Sequence, residues 1–448
     1  MEVRHRTAGD GVHVIEATSP DAKSLCMDLP CAEDDHFAGG GAQFVRLDLR
    51  GRVLDGWLTD AASAQTYFHA PVLHSSAGWA LVVDTAARYA LDVAATSPTR
   101  VRVTVPGPSL RVVVVLGTPR RCVSVVAELA GRAPLAPPWA FGVWHNVRSG
   151  PAAVLEQARR LRAERIPGSA LWIDDHYSPE TNDGDGWPGN YPLARYGEVV
   201  EMASLVSAVH DLGFKALTYL NCMVYRGTPW FDEAVRDGLV VRDASGAPLL
   251  IRFFSPLDTH EGVVDFDEDA AAILDFTNPA AVRRWQDNVR RLLGEIGWDG
   301  WMEDFGEQVP PEAVMHDGSS GAEAHNRYAL LYHGATDAVR ESVKPDAVVF
   351  ARSGYLGTQA MLPVYWGGDQ LCEWSGDFGI ASVVPGGLSL GLLGVGAWGC
   401  DISGLFALPE KPLATGAGDR ELWMRWVQLG ALTPVMRTHL GFKPEPTP

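Results

Sequence analysis

PAAVRRWQDNVRRLLGEIGWDGWMEDFGE, residues 279–307, joins an amphipathic helix (279–297) to a short apolar strand, GWMED (300–304), that finishes on acids. Strand-like runs alternate with amphipathic helices on both sides of it. The strands are read at AFGVWH (140–145), SALWIDD (169–175), KALTYLN (215–221), AVVFARS (347–353), VYWGG (364–368), GVGAWGCD (394–401) and TPVMRTH (433–439). The intervening helices are read in AAVLEQARRLRAER, VVEMASLVSAVHDLG, HNRYALLYHGATDAVRES and ELWMRWVQLGAL. A strand–helix–strand order implies parallel strands joined by crossovers. Eight such strands predict a (β/α)8 barrel over residues 131–448. A doubly wound open sheet is the competing architecture, but no glycine-rich dinucleotide turn follows a strand.

Residues 1–130 read differently. Short β-rich runs (QFVRLDL, ALVVDT, RVRVTVP, RVVVVLG) are separated by Gly, Pro and Asp turns, which predicts an antiparallel β-sandwich ahead of the barrel. The Pro-rich segment RAPLAPPWAFG (132–142) marks the change.

Composition narrows the function. A formal net charge of −18 disfavours nucleic acid and anionic membrane surfaces as partners. No apolar run approaches the roughly 20 residues that span a bilayer. The amino terminus lacks the apolar stretch of a secretory signal, so a cytoplasmic location is expected. Six cysteines are scattered without a CxxC pair, so no metal site and no cofactor is expected. Fifteen Trp residues provide flat rings able to stack on sugar faces, although most belong in a core.

In a barrel of this kind the chemistry sits at the carboxyl ends of the strands. The polar residues there are His145, Asp174 with Asp175, Asn221, Asp304, Arg352, Asp369, Asp401 and His439. Packed core strands do not need such endings. Glu303, Asp304 and Glu307 crowd one strand end, and Asp369 follows Tyr365 and Trp366 at another. Carboxylates that close repel one another and resist burial, so the site has a use for negative charge or for protons. Two acids on different strands suit glycosidic bond hydrolysis. Retention of configuration requires an ionised nucleophile and a protonated acid roughly 5 Å apart. Arg352 is placed to hold Asp304 ionised, and a neighbouring anion raises the pKa of Asp369. Spacing alone does not assign the two roles.

The chain resembles glycoside hydrolase family 31, retaining enzymes acting mostly on α-linked sugars. The resemblance rests on GGAQFVRLDLRGR (40–52), TYFHAPVLHSSAGWALVVDT (66–85), GRAPLAPPWAFG (131–142), WIDDHY (172–177), DFTNP (275–279), WMEDFGE, ARSG (351–354), WGGDQ, GCDISG (399–404) and TPVMRTH, in that order. It implies Asp304 as nucleophile and Asp369 as general acid/base. It also implies Asp174 as a carboxylate gripping sugar hydroxyls, Arg352 and His439 near the nucleophile and ring hydroxyls, and Trp301, Trp366 and Asp401 around the pocket. The DFGE and DQ forms are similar to the sulfoquinovosidase-like and α-xylosidase-like branches. Asp174 and Asp175 make the loop after the second strand acidic, and Leu405 stands where sulfoquinovosidases resemble one another in having Tyr. Both departures favour a neutral sugar such as an α-glucoside or α-xyloside. Family members continue past the eighth strand, whereas this sequence ends at FKPEPTP. A barrel without its last helix is expected to expose apolar surface and to associate, as a homo-oligomer or with another chain. The competing function is a catalytically silent sugar-binding protein. An inverting enzyme on a related barrel would hold its carboxylates roughly 6.5–9.5 Å apart.

Overall fold

The computed structural model describes residues 1–59, 66–148, 150–173, 199–251, 271–405 and 420–440. Eight parallel strands close into a barrel in chain order: Val143–Val147, Ala170–Ile173, Lys215–Asn221, Gly300–Asp304, Val348–Ala351, Val364–Trp366, Trp398–Ile402 and Val435–Thr438. They are referred to below as the first to eighth barrel strands. The ring closes where Val143 and Trp144 of the first strand pair with Met436 and Arg437 of the eighth. Helices cover the outside, among them Gly150–Ala163, Val199–Asp211, Pro279–Arg290, Gly321–Val343 and Arg420–Gly430. Most strands are shorter than their apolar runs suggest; the sixth has only three residues. The fifth and sixth therefore hand over early to the loops that carry Arg352 and Asp369.

The fourth strand shows how tightly the barrel is wound. Gly300 has φ 140°, and a Cβ there would lie 1.8 Å from the Val348 carbonyl oxygen of the fifth strand. Only glycine lets the two backbones approach that closely.

The helix Ile380–Gly391, between the sixth and seventh strands, was not expected from the sequence because it contains Pro385, Gly386 and Gly387. Its glycines allow close packing. A Cβ on Gly386 would meet the Phe44 ring at 2.7 Å, and one on Gly387 would meet Trp398 at 1.8 Å. After the third strand the chain adds a small antiparallel sheet, Met223–Tyr225, Leu250–Ile251 and Ala271–Ile273.

Ahead of the barrel lie two antiparallel sheets, one of six strands and one of four. Strand Arg100–Pro106 shows the alternation expected of a strand with one buried face: Val101, Val103 and Val105 are buried between partly exposed neighbours. These valines pack with Leu25, Leu73, Leu81, Leu91 and Val112 between the sheets. The other face of the larger sheet, with Ala70, Val72, Ala80, Val82 and Val115, joins the apolar cluster that continues into the barrel. Strand His69–Ser75 is buried along its whole length for that reason. The run QFVRLDL (43–49), expected as a strand, is a loop. Asp48 draws it around by accepting from the Phe37 and Arg50 backbone N–H groups. Among the described residues no helix is long and apolar enough to cross a membrane.

Candidate active site

The fourth strand delivers Asp304 by simple alternation. Met302 and Asp304 face the barrel interior, beside Tyr219 and Asn221 of the third strand, with which they are in register. Trp301 and Glu303 take the opposite parity. Trp301, expected in the pocket wall, therefore does not reach it: its Nε1–H donates to Glu303 Oε2 at 3.0 Å, on the side packed against helix Gly321–Val343. His145 also departs from expectation. It lies within the first strand and bonds the Pro167 carbonyl at 2.7 Å. Its neighbour Asn146 donates to the Trp172 carbonyl and accepts from Leu440 N–H. Asp174 and Asp175 lie outside the described residues.

Arg352, just past the fifth strand, joins three acids. Its Nε is 3.2 Å from Asp304 Oδ1 and 3.1 Å from Glu307 Oε1, and its Nη1 donates to Asp369 Oδ2 at 2.5 Å. Asp304 and Asp369, 65 positions apart in the chain, are thus brought to one guanidinium. The sequence places Arg352 on Asp304; the structure shares the arginine among three acids. Asp304 also accepts from Tyr219 Oη at 2.6 Å and from the Phe305 backbone N–H at 2.9 Å.

One positive charge among three carboxylates leaves an excess of negative charge if all three are ionised. Two like charges about 4 Å apart cost roughly 4 kcal/mol at an effective dielectric constant of 20. Asp369 relieves this by holding a proton more firmly than usual. Burial raises its pKa, Arg352 opposes that, and the Asp304 charge raises it further. Tyr219 stays a neutral phenol, because burial and the Asp304 charge push its pKa well above the ordinary value. It is therefore a permanent donor to Asp304.

Asp369 is seated from outside the barrel. Its backbone N–H donates to Tyr67 Oη at 3.3 Å. The Tyr67 ring fills the space beside Gly368, where a Cβ would lie 2.1 Å from it, and faces the Arg352 guanidinium at 4.6 Å. Tyr67 precedes strand His69–Ser75 of the larger antiparallel sheet.

Beneath the acids lies an aromatic layer. Arg437 of the eighth strand sits 4.5 Å from the Trp172 ring, 5.1 Å from Phe350 and 5.8 Å from Trp366. It donates to Asp401, its register neighbour in the seventh strand. Both are almost fully buried, so Asp401 and Arg437 pair inside the protein. Trp366 meets Phe350 edge to face at 5.6 Å. His439 sets its ring edge to face against Trp172 at 4.8 Å. Tyr219, Tyr67 and Arg437 were not singled out from the sequence. Strand parity points to the first, since Tyr219 stands two positions before Asn221 and shares its face. Nothing local points to Tyr67.

Residues 133–447 match the Glycosyl hydrolases family 31 TIM-barrel domain, and residues 5–92 match the Glycosyl hydrolase 31 N-terminal galactose mutarotase-like domain. The sulfoquinovosidase of Escherichia coli is 27% identical over 94% of this chain and 63% of its own length. The α-xylosidase of Lactiplantibacillus pentosus is 29% identical over 91% of this chain and 51% of its own. The chain thus spans about half to two thirds of the length of these relatives. Among solved structures, a sulfoquinovosidase from E. rectale in complex with an aza-sugar inhibitor superimposes with a TM-score of 0.86 at 23% identity, over 99% of this chain and 68% of that one. A cycloalternan-degrading enzyme from Trueperella pyogenes, in complex with a covalent intermediate, gives 0.80 at 24% identity, over 98% and 62%. At such identities the superpositions speak for the fold alone.

Proposed function

The chain belongs to glycoside hydrolase family 31, and from that footing we propose that it hydrolyses an α-linked glycoside with retention, by double displacement. Asp369 gives its proton to the departing glycosidic oxygen while an Asp304 carboxylate oxygen attacks the anomeric carbon. The C–O bond to the leaving group breaks and a glycosyl–Asp304 ester forms. The ester removes the negative charge that had held the Asp369 proton in place. Asp369, now a carboxylate, takes a proton from water, whose oxygen attacks the anomeric carbon and frees Asp304. Tyr219 and the Phe305 N–H donate to Asp304 and aim it.

The observation that carries this reading is the convergence of Asp304 and Asp369 on Arg352, with the Asp369 pKa raised. For the glycone we propose a neutral sugar such as an α-glucoside or α-xyloside. Arg352 and Arg437 are each engaged by carboxylates of the chain itself, which suits hydroxyl recognition better than capture of an anion. The α-xylosidase relatives support the same choice. A sulfoquinovoside is the second reading, favoured by the E. coli and Agrobacterium fabrum sulfoquinovosidase relatives. A panel of nitrophenyl α-glycosides, with and without an anionic group at carbon 6, separates the two. Turnover of a neutral member, abolished in both Asp304→Ala and Asp369→Ala, is the expected result. Saturable sugar binding with no turnover of any member would sink the enzymatic reading.

A further inference from the structure

Phe305, directly after the proposed nucleophile, has φ 62°, in the left-handed region that a bulky side chain avoids. Such a conformation persists only where the surroundings impose it. Both peptide units around Phe305 are held. Tyr332 Oη donates to the Asp304 carbonyl at 3.3 Å, and Ser353 Oγ donates to the Phe305 carbonyl at 2.6 Å.

Ser353 is itself directed from behind. Its single proton is committed to Phe305, so its oxygen must accept from His333 Nε2, which lies 2.9 Å away. His333 Nδ1 then meets Glu303 Oε1 at 2.8 Å. Glu303 Oε2 accepts from Thr336 Oγ1 at 2.7 Å and from Trp301 Nε1 at 3.0 Å. The Thr336 hydroxyl also accepts from Trp285 Nε1 at 2.8 Å, which leaves its proton for Glu303. The bonds of Ser353 and of Glu303 Oε2 have their directions fixed by their neighbours, while either partner can donate between His333 Nδ1 and Glu303 Oε1. Glu303, His333 and Ser353 are fully buried. None of the three is engaged with Arg352 in the contacts described above.

We propose that Glu303, His333 and Ser353 form a buried positioning relay that clamps Phe305 in its left-handed turn and so aims Asp304 at the anomeric carbon. The relay rests on the reading of Asp304 as nucleophile. With the Ser353 hydroxyl removed, the peptide after Phe305 is released. The turn relaxes, the Phe305 N–H swings off Asp304 Oδ1, and the carboxylate loses its line of attack. A misplacement of about 1 Å at a reacting group is enough for about a hundredfold loss of rate.

The test is steady-state kinetics on the best nitrophenyl α-glycoside, with thermal melting of each variant and Asp304→Asn run in parallel. Ser353→Ala is expected to lower kcat about 10- to 100-fold with KM within about twofold of the parent. His333→Phe keeps the ring stacked on Tyr332 and removes both nitrogens; it is expected to behave alike, and it carries the test if Ser353→Ala does not fold. Glu303→Gln is the conservative rescue. Its amide can donate to Nδ1 while Nε2–H still serves Ser353, so kcat should stay within about threefold of the parent. Ser353→Ala with more than half the parent kcat overturns the relay, as does a loss that appears in KM rather than kcat. A Glu303→Gln loss as deep as that of His333→Phe also overturns it, in favour of a charge effect. In all these cases Asp304→Asn remains inactive and the glycosidase reading stands. A parent without turnover, or an active Asp304→Asn, overturns both together.

Discussion

At the residue scale the site is an exercise in sharing one cation. Arg352 touches Asp304, Glu307 and Asp369, so its removal alters the proton balance of Asp369 as well as the position of Asp304. Its charge lowers the Asp369 pKa against burial and Asp304, which raise it. In the proposed mechanism the protonated form of Asp369 is the working one, so activity should be lost as pH rises through its pKa. Taking the cation away must therefore move the alkaline limb upward. Arg352→Gln should shift that limb upward, with kcat lower throughout. A pH–rate profile on an aryl glycoside checks it, and a limb that stays put or moves down refutes the assignment. How far such residues can be read from sequence follows from their chemistry. Asp304 and Asp369 stand out because acids seldom end apolar strands without a reason. Trp301 misleads because the resemblance puts it in the pocket wall, whereas strand parity sends it outward, hydrogen-bonded to Glu303. The left-handed turn at Phe305 leaves no mark in the sequence, since no glycine or asparagine occupies that position.

At the scale of elements, the barrel is tied at the end away from the acids by another buried carboxylate. Asp299, just before the fourth strand, accepts from Ala216 N–H at 2.9 Å. It also meets Lys215 Nζ at 3.0 Å, Lys344 Nζ at 2.9 Å and His210 Nε2 at 2.6 Å. One side chain thus pins the start of the third strand, the entry to the fourth and the ends of two helices. Burial by itself would raise the Asp299 pKa. The Ala216 N–H, Lys344 and His210 more than offset it, so the folded value lies below the ordinary one. A depressed folded pKa means that the stabilisation is complete above the unfolded carboxylate range. It disappears as pH falls through the folded value. Asp299→Ala should cost about 1–3 kcal/mol in urea unfolding at neutral pH, because it leaves the buried Ala216 N–H without its acceptor and the partly exposed Lys215 and Lys344 without their counter-charge. The deficit should shrink in acid; one that is the same at pH 3 and pH 7 would contradict the argument. The element pattern as a whole was legible, since alternating strand and helix periods announce a parallel barrel. Helix Ile380–Gly391 was not, because proline and glycine read as loop while here they serve close packing against Phe44 and Trp398.

At the scale of the whole molecule, the antiparallel sheets reach into the barrel's candidate site. Asn326 and His325 of helix Gly321–Val343 bond the Gly56 and Leu58 carbonyls, and Tyr67 reaches the loop that carries Asp369. The pairing of Phe68 with Gly354 anchors the same crossing. Tyr67→Ala should lower kcat about 10- to 100-fold while leaving most of the thermal stability, since it frees the Gly367–Gly368 turn under Asp369. Near-parent kcat in a folded Tyr67→Ala protein would show that the acid needs no such seat. No sequence rule foretells this contact, because it joins residues some three hundred positions apart across two sheet systems. It also bears on engineering. Grafting the barrel's loops onto a foreign scaffold would carry over both acids but leave the phenol behind, so the transplant would own the reagents without the bench that steadies them.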